Sequence, residues 1–224
     1  MAKYCSNCGR KLEDGEVCEC KKKMEFNIQG NKIVELCKNV FIKPVETIKD
    51  FKEEKNFSLS VIMVLVTSII FGFFCILVTK VFYKTSVALY ARDMYNTNYM
   101  VDYYSIFIVG IVIALIYCFL SAFILYLINN KIFNVEINYK NSFNITSPLL
   151  IFDVVGILLS IIALPVSIYI VGMVILFACM LKVICLTLIE KEVFKLNNTK
   201  SIYANLIYVI AITVVISIII SQFN

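Results

Sequence analysis

The sequence predicts an all-α multi-pass membrane protein, with five transmembrane helices in an N-in/C-out arrangement and a small N-terminal β-hairpin zinc ribbon. Of its 224 residues, 60% are hydrophobic and only 17% are charged, whereas soluble domains are about 45–50% apolar and about 25% charged. Four cysteines lie within the first twenty residues, and long uncharged stretches begin at Phe57. A lipid bilayer is therefore the first partner that the composition indicates.

The four N-terminal cysteines have the spacing of a metal site. Cys5 and Cys8 are separated by two residues, so one turn can direct both sulfurs at one ion, and Gly9 can adopt a positive φ that points backbone N–H groups at the sulfur. Four thiolates around Zn²⁺ form a closed, structural site, and so short a segment needs the metal in order to fold. We expect structural Zn²⁺ in residues 1–20, bound by Cys5, Cys8, Cys18 and Cys20.

A β-hairpin would complete the zinc ribbon. Residues 11–13 and 16–17 are expected to be its strands, joined by the Asp-Gly turn at residues 14–15. The second cysteine pair has a single intervening residue, which leaves open that Cys20 lies outside the site; the nearest spare thiol is then Cys37. An iron centre, a redox-active dithiol and unstructured thiols are the alternatives to zinc.

Residues 21–56 connect the ribbon to the membrane. Residues 21–30 are polar and are expected to be a linker. In residues 31–42 the apolar side chains recur at helical spacing, and Pro44 suits the first turn of a second short helix. Lysines lie mainly between the apolar positions, so we expect residues 31–56 to form two amphipathic helices at the membrane surface. A small soluble helical hairpin is the alternative.

Residues 57–224 are expected to form the membrane domain. A span needs about 20 residues to cross about 30 Å of hydrocarbon, and three stretches are uncharged over that length. A fourth stretch, residues 148–189, would be about 63 Å long as one helix, so we expect it to fold back in a tight turn at Pro165. The predicted spans are 57–79, 103–129, 147–164, 165–189 and 202–221.

The positive charges predict the orientation. With a cytoplasmic N-terminus, 17 Lys and Arg residues lie on the inner side and three on the outer side, and short loops that are rich in Lys and Arg stay in the cytoplasm. The cytoplasm also keeps thiols reduced and available to a metal. We therefore expect a plasma-membrane protein with its N-terminus in the cytoplasm and its C-terminus outside.

Asp153 and Lys182 are, apart from tyrosines, the ionisable residues deep inside the predicted spans. Charges in the membrane are costly and mark functional candidates. Both are expected toward the cytoplasmic side, at depths that differ by about 7 Å. Three arrangements are open: an ion pair across the hairpin, separate positions at the inner interface, or the lining of an ion or proton path.

The composition excludes several classes of function. The chain has no histidine, which removes histidine-based catalytic triads and histidine metal sites. A paired-carboxylate hydrolase needs two acids in one cleft, and Asp153 is the one carboxylate expected at depth. The net charge of +5 comes mostly from short loops and does not indicate a nucleic-acid partner. We expect no enzymatic activity, and we assign no catalytic residue and no organic cofactor.

The layout of the chain is similar to a known family. Residues 41–48 (FIKPVETI) precede five predicted spans, and residues 4–20 are similar to zinc-ribbon domains. Over about residues 40–221 the chain resembles bacterial members of the Yip (Ypt/Rab-interacting protein) domain family. The resemblance implies five spans, a tight third and fourth hairpin, a cytosolic N-terminus and no catalytic residues. Eukaryotic members of that family are implicated in vesicle traffic through small GTPases.

These observations lead to one prediction of function and two alternatives. We expect a non-enzymatic membrane scaffold or adaptor whose cytoplasmic zinc ribbon contacts a protein partner, with oligomerisation left open. The first alternative is a transporter or permease subunit that uses Asp153 and Lys182. The second is a membrane-tethered metal or redox sensor in which the cysteine segment is the switch.

Overall fold

The computed structural model describes residues 3–4, 11–12, 30–52, 56–90 and 101–221. The chain divides into two compact units, Met1–Glu35 and Leu36–Asn224. The first unit contains a two-stranded sheet and the beginning of a helix, and the second contains the long apolar helices.

The sheet of the first unit is a short antiparallel pair. Strand β1 (Lys3–Tyr4) pairs with β2 (Lys11–Leu12), with Lys3 opposite Leu12 and Tyr4 opposite Lys11. β2 covers the first two residues of the strand predicted at 11–13, but it pairs with residues that precede Cys5, which the sequence had not indicated. The predicted return strand at 16–17 and the four predicted zinc ligands lie outside the described residues.

Helices make up nearly all of the remaining described structure. The π-helical turn Ile128–Ile132 continues directly from the end of the fourth α-helix. The α-helices in the described ranges are α1 (Gly30–Ile42), α2 (Pro44–Phe51), α3 (Phe57–Tyr90), α4 (Tyr103–Leu127), α5 (Tyr139–Ala163), α6 (Ile168–Glu192) and α7 (Asn198–Ser221).

Five of the helical segments are long and apolar enough to cross a bilayer, which confirms the predicted helical membrane architecture. Every backbone N–H and C=O group in hydrocarbon must bond within the protein, and a helix achieves this alone. The five candidate spans are Phe57–Tyr83, Tyr103–Ile132, Tyr139–Ala163, Ile168–Glu192 and Asn198–Ile218.

Helix α3 continues to Tyr90, past the predicted end at residue 79, but among the candidate spans the start of α5 differs most from the prediction. Helix α5 begins at Tyr139 rather than at residue 147, because its polar first turns are stabilised by protein rather than by water. Asn144 is buried, and its side-chain oxygen accepts a hydrogen bond from Ser60 Oγ at 2.7 Å. The predicted start of α7 at residue 202 was also too late, since α7 begins at Asn198.

The turn between α5 and α6 lies at the predicted position. It contains Pro165 and is closed by a hydrogen bond from Val166 N to Ala163 O (2.9 Å). α6 begins at Ile168 rather than at residue 165, because Ser167 caps the helix by accepting a hydrogen bond from Tyr169 N (3.2 Å). α5 and α6 therefore form an antiparallel pair with a very short connection.

The short helix α2 packs against α5 and α6. Ile48 and Phe51 of α2 and Val40 of α1 are buried in one apolar cluster with residues of α4 to α7. The side-chain amide of Asn144 donates to the backbone oxygen of Lys52 (3.3 Å). We call this end of the helix bundle the α2 end. Helices α3, α5 and α7 begin there, and α4 and α6 end there.

The apolar faces predicted for the two short helices in residues 31–56 therefore pack largely against the rest of the protein. The buried positions of α1 and α2 face the helix bundle, whereas Phe41 and Ile42 keep exposed side chains. Phe41 also contacts the ring of Phe152 edge-on, with ring centroids 5.0 Å apart. The position of these helices relative to a bilayer stays a prediction.

Two helix pairs approach each other closely at glycine. A Cβ built on Gly156 of α5 would lie 2.7 Å from Ala178 Cβ of α6, and a Cβ built on Gly110 of α4 would lie 3.0 Å from Gly72 Cα of α3. A side chain at Gly156 would therefore force α5 and α6 apart. This close approach brings the polar residues of α5 and α6 within reach of each other.

Candidate functional site

Asp153 of α5 and Lys182 of α6 are in direct contact inside the bundle. Lys182 Nζ lies 2.5 Å from Asp153 Oδ2, and the side chains are only 6% and 17% exposed for Lys182 and Asp153. Asp153 lies ten residues from the turn end of its helix, at Ala163, and Lys182 lies fourteen from Ile168. The resulting depth difference of about 6 Å is within reach of a lysine side chain.

The pair lies near the middle of both helices, and its expected position toward the cytoplasmic side stays a prediction. The predicted spans ended too early at one end because α5 extends back to Tyr139 and α6 extends on to Glu192. The added turns belong to the α2 end of the bundle. Both charges are therefore farther from the α2 end of their helices than the sequence indicated, and slightly nearer to the helix ends at the turn.

Tyr117 of α4 is the third member of this site. Its hydroxyl oxygen accepts a hydrogen bond from Lys182 Nζ at 3.0 Å, and Nζ lies 4.9 Å from the centroid of its ring. The ammonium group thus has a carboxylate, a hydroxyl and an aromatic ring as neighbours. Sequence reasoning missed Tyr117 because a tyrosine in an apolar stretch has no charge pattern that distinguishes it from packing residues.

A second polar contact extends the network to α7. Ser121 lies one turn beyond Tyr117 on α4, and its hydroxyl is hydrogen-bonded to the hydroxyl of Tyr208. Both Ser121 and Tyr208 are buried. Side-chain polar contacts therefore connect α4, α5, α6 and α7 within the apolar interior, and each such contact is favoured because no water is available to compete.

The charge pair is neutral as a unit and enclosed by side chains. A groove of about 490 Å³ lies along α4, and neither it nor a second groove beside it is lined by Asp153 or Lys182. The first groove is lined by Val112, Leu115, Ile116, Phe119, Leu120, Phe123 and Tyr139. The contacts of Lys182 with Asp153 and Tyr117 therefore hold α4, α5 and α6 together.

Glu190 corrects the expectation that Asp153 is the one carboxylate at depth. The predicted span ended at residue 189, which put Glu190 in a loop, but α6 continues to Glu192 and the Glu190 side chain is completely buried. Asn205 of α7 donates a hydrogen bond to Glu190 Oε2 at 3.1 Å. Single-residue hydropathy could not reveal this site, because the burial of Glu190 depends on packing against α7.

The predicted zinc ligands fall outside the described residues, and the described strands bear on them indirectly. β1 and β2 pair in antiparallel register, and the chain between them carries Cys5 and Cys8. In the described part of the chain, no group of three or more Cys, Asp or Glu side chains could hold a metal ion.

Cys37, the alternative fourth ligand, is a poor candidate for zinc binding. It is half-buried on α1, and its side chain packs against the apolar cluster of the bundle. Burial raises the pKa of its thiol, which disfavours the thiolate that a metal requires. The ligand set Cys5, Cys8, Cys18 and Cys20 stays a prediction, because these residues lie outside the described part of the chain.

Comparison with known proteins places the helical unit in a family. Residues 38–220 match the family model described as Yip1 domain, which begins within α1 and ends within α7. No significant match was found among curated proteins or among solved structures. The match covers most of the chain and all five of its candidate spans. This multi-pass membrane protein therefore belongs to the Yip1 domain family.

Proposed function

We propose that this protein is a non-enzymatic membrane scaffold whose cytoplasmic N-terminal zinc ribbon binds a protein partner. The contact of Lys182 with Asp153 and Tyr117 is the observation that supports the scaffold role. The two mid-membrane charges neutralise each other and connect three helices. A charge pair that is satisfied within the bundle and connects its helices suits an anchor for a partner-binding segment.

The zinc ribbon is the proposed interaction module. Structural Zn²⁺ bound by thiolates would supply the folding free energy that so short a segment lacks. The antiparallel pairing of β1 with β2 supports this assignment, because it brackets the first cysteine pair. The expected ligands are Cys5, Cys8, Cys18 and Cys20.

The proposal places the zinc ribbon in the cytoplasm and the membrane domain in the plasma membrane. The excess of Lys and Arg on the N-terminal side of the predicted spans supports this orientation. A reporter that is active only in the cytoplasm, fused to either terminus, tests it. Activity of the N-terminal fusion alone is expected, and activity of the C-terminal fusion alone would reverse the orientation.

Metal content and partner capture test the scaffold proposal together. The full chain is purified in detergent from cells that express wild type, Cys8→Ser or Cys179→Ser, and bound zinc and cross-linked partners are measured. Cys179 is exposed on α6, so Cys179→Ser is the matched control and should keep zinc and partners. Cys8→Ser should lose both. An unchanged partner set in Cys8→Ser would refute the ribbon as the interaction module.

A transporter subunit is the second candidate, favoured by the position of Asp153 and Lys182 near the middle of their helices. Vesicles that contain the Asp153→Asn/Lys182→Met double variant distinguish the two. A carrier that uses these charges loses flux in the double variant even where the protein folds. A scaffold keeps its partner capture, since the variant replaces a neutral pair with neutral side chains.

A further inference from the structure

Glu190 and Asn205 form a second polar cluster at the α2 end of the bundle, separate from the charge pair. The Asn205 amide nitrogen donates hydrogen bonds to Glu190 Oε2 (3.1 Å) and to Thr187 Oγ1 (2.8 Å). The Glu190 side chain is 0% exposed and that of Asn205 is 4% exposed. Two helices, α6 and α7, thus contribute three oxygen-bearing side chains to one buried position.

Two oxygens of this cluster have no hydrogen-bond donor within the described structure. They are Glu190 Oε1 and Asn205 Oδ1. Thr187 fixes the orientation of the amide: its hydroxyl donates to Val183 O (2.9 Å), so it can only accept from Asn205. The Asn205 carbonyl oxygen is therefore the atom that remains available, and rotating the amide would not satisfy it.

Glu190 has no ion-pair partner among the described lysine and arginine side chains. The described ion pairs involve Asp153 with Lys182 and Glu46 with Lys43, so no described lysine or arginine neutralises Glu190. Glu190 also lies in the last turn of α6, which ends at Glu192, where the helix dipole adds further negative potential. An isolated carboxylate buried in this way is expensive unless a positive charge compensates it or a proton neutralises it.

We propose that Glu190 and Asn205 form a binding site for a monovalent metal cation, Na⁺ or K⁺. Carboxylate and amide oxygens are the ligands that hard cations prefer, and one carboxylate balances one positive charge. A further buried oxygen without a donor, Asn129 Oδ1, belongs to the π-helical turn Ile128–Ile132, which contacts α7. A π-helical turn within a helix is often found at a functional site.

The cluster lies close to the exposed end of α6. Lys191 and Glu192 directly follow Glu190 and are exposed. The site is therefore within one turn of the solvent-exposed end of α6, unlike the pair of Asp153 with Lys182. This inference concerns a part of the bundle that the scaffold proposal does not use, so either can fail without the other.

Thermal unfolding of the full chain in lipid nanodiscs tests the site. The midpoint is measured in increasing NaCl or KCl, with N-methyl-D-glucamine chloride replacing it at constant ionic strength and fixed pH. Wild type should show a saturable rise of the midpoint with one of the metal cations. Glu190→Gln removes the charge and should show none. Glu192→Gln, an exposed glutamate on the same helix, should respond as wild type does.

Direct binding keeps the proposal testable if Glu190→Gln does not fold. Radioactive sodium and rubidium, the latter as a potassium analogue, are used as probes with wild type and Asn205→Leu, which removes one ligand oxygen. Saturable binding to wild type with a clear loss of affinity in Asn205→Leu supports the site. Absence of binding to wild type overturns the proposal. An unfolding midpoint that changes with pH but not with the metal cation also overturns it, since a proton or a water molecule alone would then occupy the cluster.

Discussion

The ammonium group of Lys182 lies 2.5 Å from the carboxylate of Asp153, between two helices that are consecutive in the chain and antiparallel in space. Each charge alone would be costly in the membrane interior. Together, with the Tyr117 hydroxyl 3.0 Å from Lys182 Nζ, they form a neutral contact that also specifies which faces of α5 and α6 meet. The contact therefore stabilises the packing of α5 against α6.

Removing one member of this pair should cost more stability than removing both. Lys182→Met leaves Asp153 buried and unpaired, and we expect it to lower the free energy of unfolding by about 3–5 kcal/mol. The Asp153→Asn/Lys182→Met double variant leaves no charge and should lose clearly less. Unfolding in mixed micelles with increasing SDS measures the difference.

Lys191→Met is the control for this series, because Lys191 is an exposed residue of the same helix. It should change the free energy of unfolding by about 0.5 kcal/mol or less. If the double variant loses as much stability as the single variants Lys182→Met and Asp153→Asn added together, Asp153 and Lys182 do not act as a unit, and the interpretation of the pair is wrong.

Gly156→Ala should separate α5 from α6. The new Cβ would lie 2.7 Å from Ala178 Cβ, which cannot rotate away, so we expect a loss of about 1–3 kcal/mol in the free energy of unfolding. Ala178→Gly in the same chain should recover much of that loss. Gly172→Ala is the matched control, since an added Cβ there has no heavy atom within 4 Å; an equal loss at Gly172 would contradict the steric argument.

Because α2 packs on the bundle, we expect a substitution at Ile48 to lower the stability of the protein strongly. The Ile48 side chain is completely buried in the cluster shared with α4 to α7, and Ile48→Ala should lower the free energy of unfolding by about 2–5 kcal/mol. Ile42, just before α2, is 60% exposed, and Ile42→Ala should have little effect in detergent. Limited proteolysis near residues 43–56 gives a second measure, because a detached α2 would be cut faster.

Asp102 predicts a dependence of stability on acid pH. It caps α4 by accepting hydrogen bonds from Tyr104 N (3.0 Å) and Ser105 N (3.3 Å). Hydrogen bonds from the Ser105 side chain and backbone lower the pKa of Asp102 below its ordinary value, which is about 3.9. The stabilisation is therefore complete above that ordinary pKa and is lost as pH falls through the lower folded-state pKa.

Melting between about pH 6 and pH 2 checks the Asp102 prediction. The melting temperature of wild type should fall further on acidification than that of Asp102→Asn. The asparagine side chain keeps an acceptor oxygen but does not titrate. Asp50 is the control, because Asp50→Asn on α2 removes a carboxylate for which no capping contact is present. If Asp102→Asn follows the wild-type pH profile, the cap does not contribute through its charge.

The sequence was sufficient for features that lipid imposes directly. Long uncharged stretches predicted five apolar helices, because a spanning segment has to be both apolar and internally hydrogen-bonded. The length of the stretch 148–189 and the position of Pro165 predicted the turn that the structure has between Ala163 and Ile168. These inferences depend on chain length and hydropathy alone, and they needed no tertiary contact.

Features that depend on tertiary contacts could not be predicted. The polar start of α5 was read as a loop, because the partners that stabilise Asn144, such as Ser60 Oγ and Lys52 O, are far away in the sequence. Glu190 was misplaced for the same reason, and Tyr117 could not be distinguished from a packing residue. The zinc ligands and the orientation in the membrane stay predictions, since they fall outside the described contacts.

The brevity of the α5–α6 connection has a consequence for how the protein is made. With only the residues between Ala163 and Ile168 to close, bringing the two helices together costs little loop entropy. A short connection therefore favours early contact between Asp153 and Lys182, and we expect the two helices to insert as a pair whose charges already neutralise each other. We expect a longer connection to lower the efficiency of membrane insertion more than it lowers the stability of the folded protein.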